Sequence, residues 1–270
     1  MSSTFRAATR LEPAGEGVYS TIVPDGWQQG RGAFGGLVLG YLVRGACAAE
    51  SDPTRTLRTL AADIAGPVLP GPAEVNVRTL RRGRSQTNLH VELSQQGEVL
   101  ASGVCTLSGP RPVSLEARLP EAPADAHRSW SELTPFSVAA PSGSGGPVFA
   151  QHYEYRNLGP LPFRGGPEGV TAGFVSERGA DGELDAASIT ALLDAWFPAI
   201  FSIAKSPMPT ATVSFASQYL GLEQPLSAAE PLYFRARMHT LAEGYFVEFR
   251  ELWQRERLVA LNQQTFAVLR

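Results

Sequence analysis

Cysteine and histidine are scarce in this sequence, and the scarcity excludes several classes of protein. The two cysteines, Cys47 and Cys105, sit far apart and among apolar neighbours. They read as core thiols in a reducing compartment, which excludes a disulfide frame. The four histidines are scattered and nothing has metal-ligand spacing, so neither a metal nor another cofactor is expected. A surplus of one charge is lacking too: the formal net charge is −3, which argues against a general nucleic-acid binder. Long hydrophobic runs are absent. The longest apolar stretches are broken by Arg44, Asp194 or Pro198, and the first six residues carry no apolar leader core. The expectation is a cytoplasmic protein with no membrane insertion.

What the chain does have is apolar material for a sizeable core, 43% of 270 residues, enough for one large domain or two of ordinary size. Residues 184–201 are apolar or small on every side after Asp185, a good N-cap, and predict a helix buried all round. Inside it stands one carboxylate, Asp194, on the side of Ala187, Ala191 and Pro198. Left unpaired there it would cost several kcal/mol, so it must be hydrogen-bonded, protonated or beside a wet cavity. A purely structural role, capping or pairing with a loop, competes with a chemical one. A second buried helix is predicted at 37–49, entered through Phe34-Gly35-Gly36. Gly40 and Gly45 inside it cost about 1 kcal/mol each against alanine, so something packs too close for a side chain.

Strands are expected at 16–23, 73–80, 86–93 and 99–107, with hairpin chemistry at Arg81-Arg82-Gly83-Arg84 and Gln95-Gln96-Gly97-Glu98. From 111 to 147 proline, alanine, serine and glycine dominate, which reads as a linker with a short helix near 129–133. Strands resume at 149–155, 169–177, 210–219, 231–240, 245–253 and 258–269. Thr79-Leu80-Arg81-Arg82-Gly83 and Thr240-Leu241-Ala242-Glu243-Gly244 align at an offset of 240 − 79 = 161. The expectation is an internal duplication, chance repetition being the competing explanation. It gives an N-terminal unit (1–110), the linker (111–147) and a C-terminal unit (148–270). Each would be an antiparallel sheet wrapped around a long apolar helix, an α+β tandem (double) hotdog whose two sheets pair edge to edge.

Several stretches carry a resemblance to a known family. Phe34-Gly35-Gly36-Leu37-Val38-Leu39-Gly40, Leu80-Arg81-Arg82-Gly83-Arg84-Ser85, Leu184-Asp185-Ala186-Ala187, Thr210-Ala211-Thr212-Val213 and Val259-Ala260 with Gln264 occur in an order similar to that of the acyl-CoA thioesterase II family. The resemblance implies an Asp, a Thr or Ser and a Gln that hold a hydrolytic water, here Asp194, Thr212 and Gln264. Thr210 and Ser214 share the strand face of Thr212 at period two and stay open as the hydroxyl. The chain has Ser214-Phe215 where a member of that family has Asp-His two residues after the Thr. A homo-oligomer, dimer or higher, is expected from the resemblance, with acyl-CoA as the partner molecule.

Chemistry agrees with that transfer. Thioester hydrolysis needs a positioned base and donors for a developing oxyanion. Burial makes Asp194 a stronger base than an exposed Asp. Backbone N–H groups of Gly35 and Gly36 at a helix start suit an oxyanion, although a plain tight turn explains the glycines as well. Gln264 read otherwise is a solvent-facing strand residue, and Thr212 an ordinary β-branched one. Arg82 and Arg84 belong to a basic cluster suited to CoA phosphates or merely to a solvated hairpin. Phe34, Trp196 and Phe215 suit an acyl tunnel or the core. Two other functions compete: a non-catalytic acyl-CoA-binding duplicate, and a hotdog hydratase or dehydratase. Against the latter, no histidine here follows an Asp by five residues.

Overall fold

Period-two burial organises most of the chain. In the strand Gln86–Gln95, Thr87, Leu89, Val91 and Leu93 are buried while the residues between them are not. Neighbouring strands repeat this pattern, so their apolar faces fall on one side. The computed structural model describes residues 4–116, 119–137, 146–222 and 224–269. In chain order the elements are α1 (Phe5–Ala8), β1 (Glu12–Gly15), β2 (Val18–Val23), β3 (Gln28–Gln29), β4 (Gly32–Ala33), α2 (Gly35–Ala49), β5 (Thr56–Ile64), β6 (Gly71–Arg82), β7 (Gln86–Gln95) and β8 (Glu98–Ser108). Then follow β9 (Tyr153–Asn157), β10 (Val170–Glu177), α3 (Ala186–Asp194), β11 (Thr210–Tyr219), β12 (Leu232–Ala242), β13 (Tyr245–Gln254) and β14 (Arg257–Val268).

The strands form one antiparallel sheet in the order β1-β2-β6-β7-β8-β5-β11-β14-β13-β12-β10-β9, and β3 pairs separately with β4. The expectation of two sheets is corrected in this sense: two six-stranded halves meet edge to edge through β5 and β11 and make one continuous sheet. That junction pairs the backbone groups of two edges that would otherwise stay open. The two apolar helices pack on one another and on the inner face of the sheet.

Their lengths need correction too. α2 runs for 15 residues, but α3 for only 9, ending at Asp194. In a continued helix the ring of Pro198 would collide with the carbonyl of residue 194, and Phe197 before it is pushed out of the helical region. The chain instead makes a turn and a 3₁₀ helix at Ala199–Ser202. The predicted neighbours of Gly40 and Gly45 are Phe5, whose Cζ would lie 2.6 Å from an added Cβ, and Val75, at 2.6 Å.

Of the strand expected at 149–155, the part up to residue 152 belongs to a 3₁₀ helix, Val148–His152. Three-residue spacing puts Phe149 and His152 on one side of it, stacked on Phe34 at 4.0 Å and Trp27 at 3.7 Å. Within the proline-rich segment the short helix expected near 129–133 is a 3₁₀ turn, Trp130–Glu132. Ala126 and Trp130 pack outside the sheet against Phe174, Tyr233 and Trp253. Residues 117–118 and 138–145 of that segment lie outside the described residues. β5 has no counterpart among the expected strands, although it is the strand that joins the halves.

Candidate active site

The short α3 sets the geometry. Asp185 caps it, its carboxylate accepting from the Ser188 N–H at 2.9 Å, and Asp194 is its last residue. Asp194 is 9% exposed and Gln264, on β14, is fully buried. The Gln264 amide nitrogen donates to Asp194 Oδ1 at 2.8 Å and to Thr212 Oγ1 at 2.6 Å. One amide therefore bridges the carboxylate and the hydroxyl, bringing all three residues together. Its own Oε1 is buried without a partner among the described residues.

β11 sets one of the three candidate hydroxyls apart from the other two. A bulge at Val213 shifts the register between Thr212, opposite Phe266, and Ser214, opposite Thr265. Beyond the bulge the buried residues are Phe215, Ser217 and Tyr219, so the inward parity changes from even to odd. Ser214 thereby leaves the face of Thr212, which corrects the strict period-two expectation.

The start of α2 faces the same carboxylate. The first N–H groups of a helix have no partner within it. Of these, the Gly36 N–H leans on the Asp194 carboxylate and favours its charged form. A Cβ on Gly35 would lie 2.6 Å from Asp194 Oδ2, and one on Gly36 would lie 2.9 Å from the Ala191 Cα and closer still to the Phe34 ring. The small side of α3, which includes Ala191, is thus where the two helices approach. Oδ1 is held by Gln264 while Oδ2 faces Gly35.

Burial pushes the Asp194 carboxyl above the usual Asp range; the Arg250 guanidinium, the Gln264 amide and the Gly36 N–H pull it back, and Glu248 pushes it up again. Glu248 and Arg250 are neighbours that sequence reasoning missed. They lie on β13, 0% and 1% exposed, joined by Arg250 Nε to Glu248 Oε1 at 2.6 Å. Their signal was two opposite charges two residues apart, in step with Phe246 and Leu252.

The other expected residues are more dispersed. Phe34, fully buried, stacks in a cluster with Trp27, Phe149 and Tyr153. Trp196 donates to Thr171 Oγ1 at 2.7 Å and packs on Phe197 and Phe234, and Phe215 is a fully buried core residue. Arg82 is paired with Glu50, just beyond the C-terminus of α2, about 20 Å from Gly35 at 1.5 Å of helix rise per residue. Arg84 lines a cleft of about 260 Å³ with Arg81, Ser85, Gln86 and Asn88. That cleft and another of about 300 Å³ beside Glu16, Arg78 and His90 lie on the first half, away from Asp194. Among the described residues no cluster of three or more potential metal ligands occurs, and no helix is long and apolar enough to cross a membrane.

The fold is shared with solved structures over essentially the whole chain. A conserved protein of unknown function with hot dog fold from Alicyclobacillus acidocaldarius is similar at 23% identity, a TM-score of 0.84, and coverage of 100% of this chain and 99% of that one. The tesB protein of Mycobacterium avium subs paratuberculosis gives 14% identity and a TM-score of 0.77, with 98% of each chain covered. Acyl-CoA thioesterase II TesB2 of Mycobacterium marinum gives 16% and 0.69, again with 98% of each covered. A comparison with curated protein sequences finds no match. Family models are more specific than these distant likenesses. Residues 23–108 match the acyl-CoA thioesterase N-terminal domain and residues 119–268 the acyl-CoA thioesterase C-terminal domain. The chain belongs to the acyl-CoA thioesterase family.

Proposed function

We propose that this chain hydrolyses acyl-CoA, or a related acyl thioester, to a free acid and a thiol. The observation that carries this reading is the Gln264 amide bridging Asp194 Oδ1 and Thr212 Oγ1 in a site closed on its far side by the start of α2. With Oδ1 engaged by Gln264, Oδ2 is the proton acceptor. A water held by Oδ2 and the Thr212 hydroxyl gives its proton to Asp194 as its oxygen attacks the thioester carbonyl. The carbonyl oxygen becomes an oxyanion against the N–H groups entering α2; because Gly36 already serves the carboxylate, Gly35 carries most of that task. Collapse of the intermediate expels the thiolate, which recovers the proton from Asp194. No metal or cofactor takes part in this scheme.

The architecture in this reading is a tandem hotdog, with units 1–110 and 148–270 joined by 111–147, working in the cytoplasm. Phe34, Trp196 and Phe215 form the apolar walls nearest the acyl chain. Arg82 is already held by Glu50, so Arg84 is the side chain of the pair offered to a CoA phosphate. A homo-oligomer is part of the proposal: Tyr245 and Phe249, 52% and 47% exposed on the outside of β13, are surface that a second copy would cover.

Release of free thiol from a panel of acyl-CoAs tests the reading. Asp194→Asn and Gln264→Ala are expected to lower kcat by roughly a hundredfold or more against wild type. Equal rates in all three proteins would remove the mechanism, and no release by any of them would favour an acyl-CoA-binding module.

A further inference from the structure

Glu248 and Arg250 are charges that the reaction above does not use. Arg250 Nη1 donates to the Leu193 carbonyl at 2.8 Å and lies 3.5 Å from Asp194 Oδ1. Glu248 Oε1 accepts from Arg250 Nε, and its Oε2 accepts from the Ala199 N–H at 2.7 Å. The pair therefore grips the chain on both sides of the break that follows α3, with Asp194 between the two grips. The rings of Phe234 and Phe266 flank the guanidinium at 5.6 and 5.2 Å, which leaves it little freedom to turn.

A buried ion pair is weak evidence of a purely stabilising role. Replacing a buried ion pair by apolar residues of similar volume is often neutral or stabilising, whereas removing one partner is costly. The first half shows the apolar alternative: the positions that pair with β8 as Glu248 and Arg250 pair with β14 are held by Leu89 and Val91, both fully buried. We propose that Glu248 and Arg250 form a positioning unit for Asp194: Arg250 fixes the orientation and charge of the carboxylate, and Glu248 fixes Arg250 and the chain beyond the break. The inference rests on Asp194 being the base. Neither residue touches substrate, so both are positioning residues.

Other groups at the carboxylate are the Gln264 amide from β14 and the Gly36 N–H from α2; the buried Tyr153 and Tyr155 hydroxyls from β9, which burial keeps protonated, lie within electrostatic reach of it. The charges that bear most on Asp194 are the Arg250 cation and, in the opposite sense, the Glu248 anion. Their removal must act in opposite directions. Losing Arg250 makes Asp194 harder to ionise; losing the charge of Glu248 makes it easier.

The test is the pH dependence of kcat on the full chain for Arg250→Met, Arg250→Lys and Glu248→Gln, beside wild type and Asp194→Asn. Arg250→Met is expected to lower plateau kcat by roughly a hundredfold with little change in KM, and to move the acid limb to higher pH. Glu248→Gln is expected to move that limb to lower pH. Arg250→Lys should restore the position of the limb but only part of kcat, because an ammonium lacks the planar fork that reaches Leu193, Glu248 and Asp194 together. Limbs that stay in place, or move the same way in both charge-removing variants, would overturn the proposal.

Should Arg250→Met fail to fold with Glu248 left unpaired, the double variant Glu248→Gln/Arg250→Met carries the test without a lone buried charge. A folded double variant with wild-type kcat overturns the proposal, and a folded one with depressed kcat supports it. Carbon NMR of protein labelled at the aspartate carboxyls follows Asp194 without turnover, its signal assigned by its loss in Asp194→Asn. A wild type that releases no thiol would therefore sink the thioesterase reading alone, while opposite shifts of the Asp194 titration would still decide the positioning role.

Discussion

Strand register lays one half of the molecule over the other, and the same positions hold opposite chemistry. Bulges at Arg58 in β5 and Val213 in β11 mark equivalent points, so Leu57 answers to Thr212 and Leu60 to Phe215. Their partners make Cys105 the counterpart of Gln264, and one strand further Leu89 and Val91 answer to Glu248 and Arg250. With the helices aligned N-cap on N-cap, Phe34 on Asp185, Val43 stands where Asp194 does. All six first-half residues are buried and none carries a charge. A duplicated scaffold thus closes well with apolar side chains at every one of these positions. That the second half holds a polar set at these positions is the structural argument behind the proposed chemistry.

Helix entries differ in the matching sense. Gly35 faces Asp194, while its counterpart Ala186 opens the helix whose cap, Asp185, is paired with Arg44 at 2.7 Å. The largest effect expected from this contrast is in Gly35→Ala. The added methyl would sit 2.6 Å from Oδ2 and displace the carboxylate, lowering kcat by roughly a hundredfold in the thiol-release assay. Ala186→Gly should leave kcat unchanged and cost up to about 1 kcal/mol in denaturant unfolding. Similar kcat in Gly35→Ala and wild type would mean that Oδ2 is not the working oxygen.

A smaller effect separates the halves by stability. Cys105→Gln puts an amide where the first half has no partner for it, and is expected to cost about 2–4 kcal/mol through unmet hydrogen bonds and crowding. Gln264→Cys makes the second half resemble the first and should cost clearly less, while abolishing thiol release. Equal unfolding costs for the two would show that the polar set is holding the fold after all.

How much of this the sequence discloses depends on whether local pattern and burial agree. They agree in β7 and β8, where alternation alone marks the strands and Gln96-Gly97 supplies a two-residue turn with both φ values positive. They disagree in β5. Its bulge at Arg58 sets the buried Leu57 and Leu60 three residues apart, a helical spacing inside a strand. β13 misleads more sharply: Val247 and Phe249 are the apolar choice for the core, yet Phe249 is 47% exposed and the charged Glu248 and Arg250 face inward. The duplication is legible, but its offset is not. Shared spelling gives 161, whereas register gives 159: Arg82 pairs with Thr87 as Leu241 pairs with Phe246, 241 − 82 = 246 − 87 = 159, so the shared letters stand two residues out of step. Asp194, Thr212 and Gln264 are readable as a set through the family resemblance, while the residues that hold Asp194 are not, since their meeting depends on where α3 stops. Pro198 was the available signal for that stop.

The smallest expected effect is a gain. Burial is the foremost cause raising the Asp194 carboxyl above its ordinary value of 3.8, so the folded protein holds that proton more tightly than the unfolded chain does. Above the folded pKa the ionised group therefore subtracts from stability, and the loss disappears as pH falls through that pKa and the folded carboxyl takes up its proton. Val43, at the equivalent position of the first half, incurs no such loss. Asp194→Asn removes the charge and keeps an oxygen to accept from Gln264, so it should melt a few degrees above wild type near neutral pH, a gain of the kind seen when a site tuned for activity is neutralised. Calorimetric melting against pH would show the gap widest at neutrality and closing on acidification. A variant that melts lower than wild type at neutral pH would mean that Arg250 and Gln264 outweigh burial, and that the second half, like the first, is arranged for stability at this position.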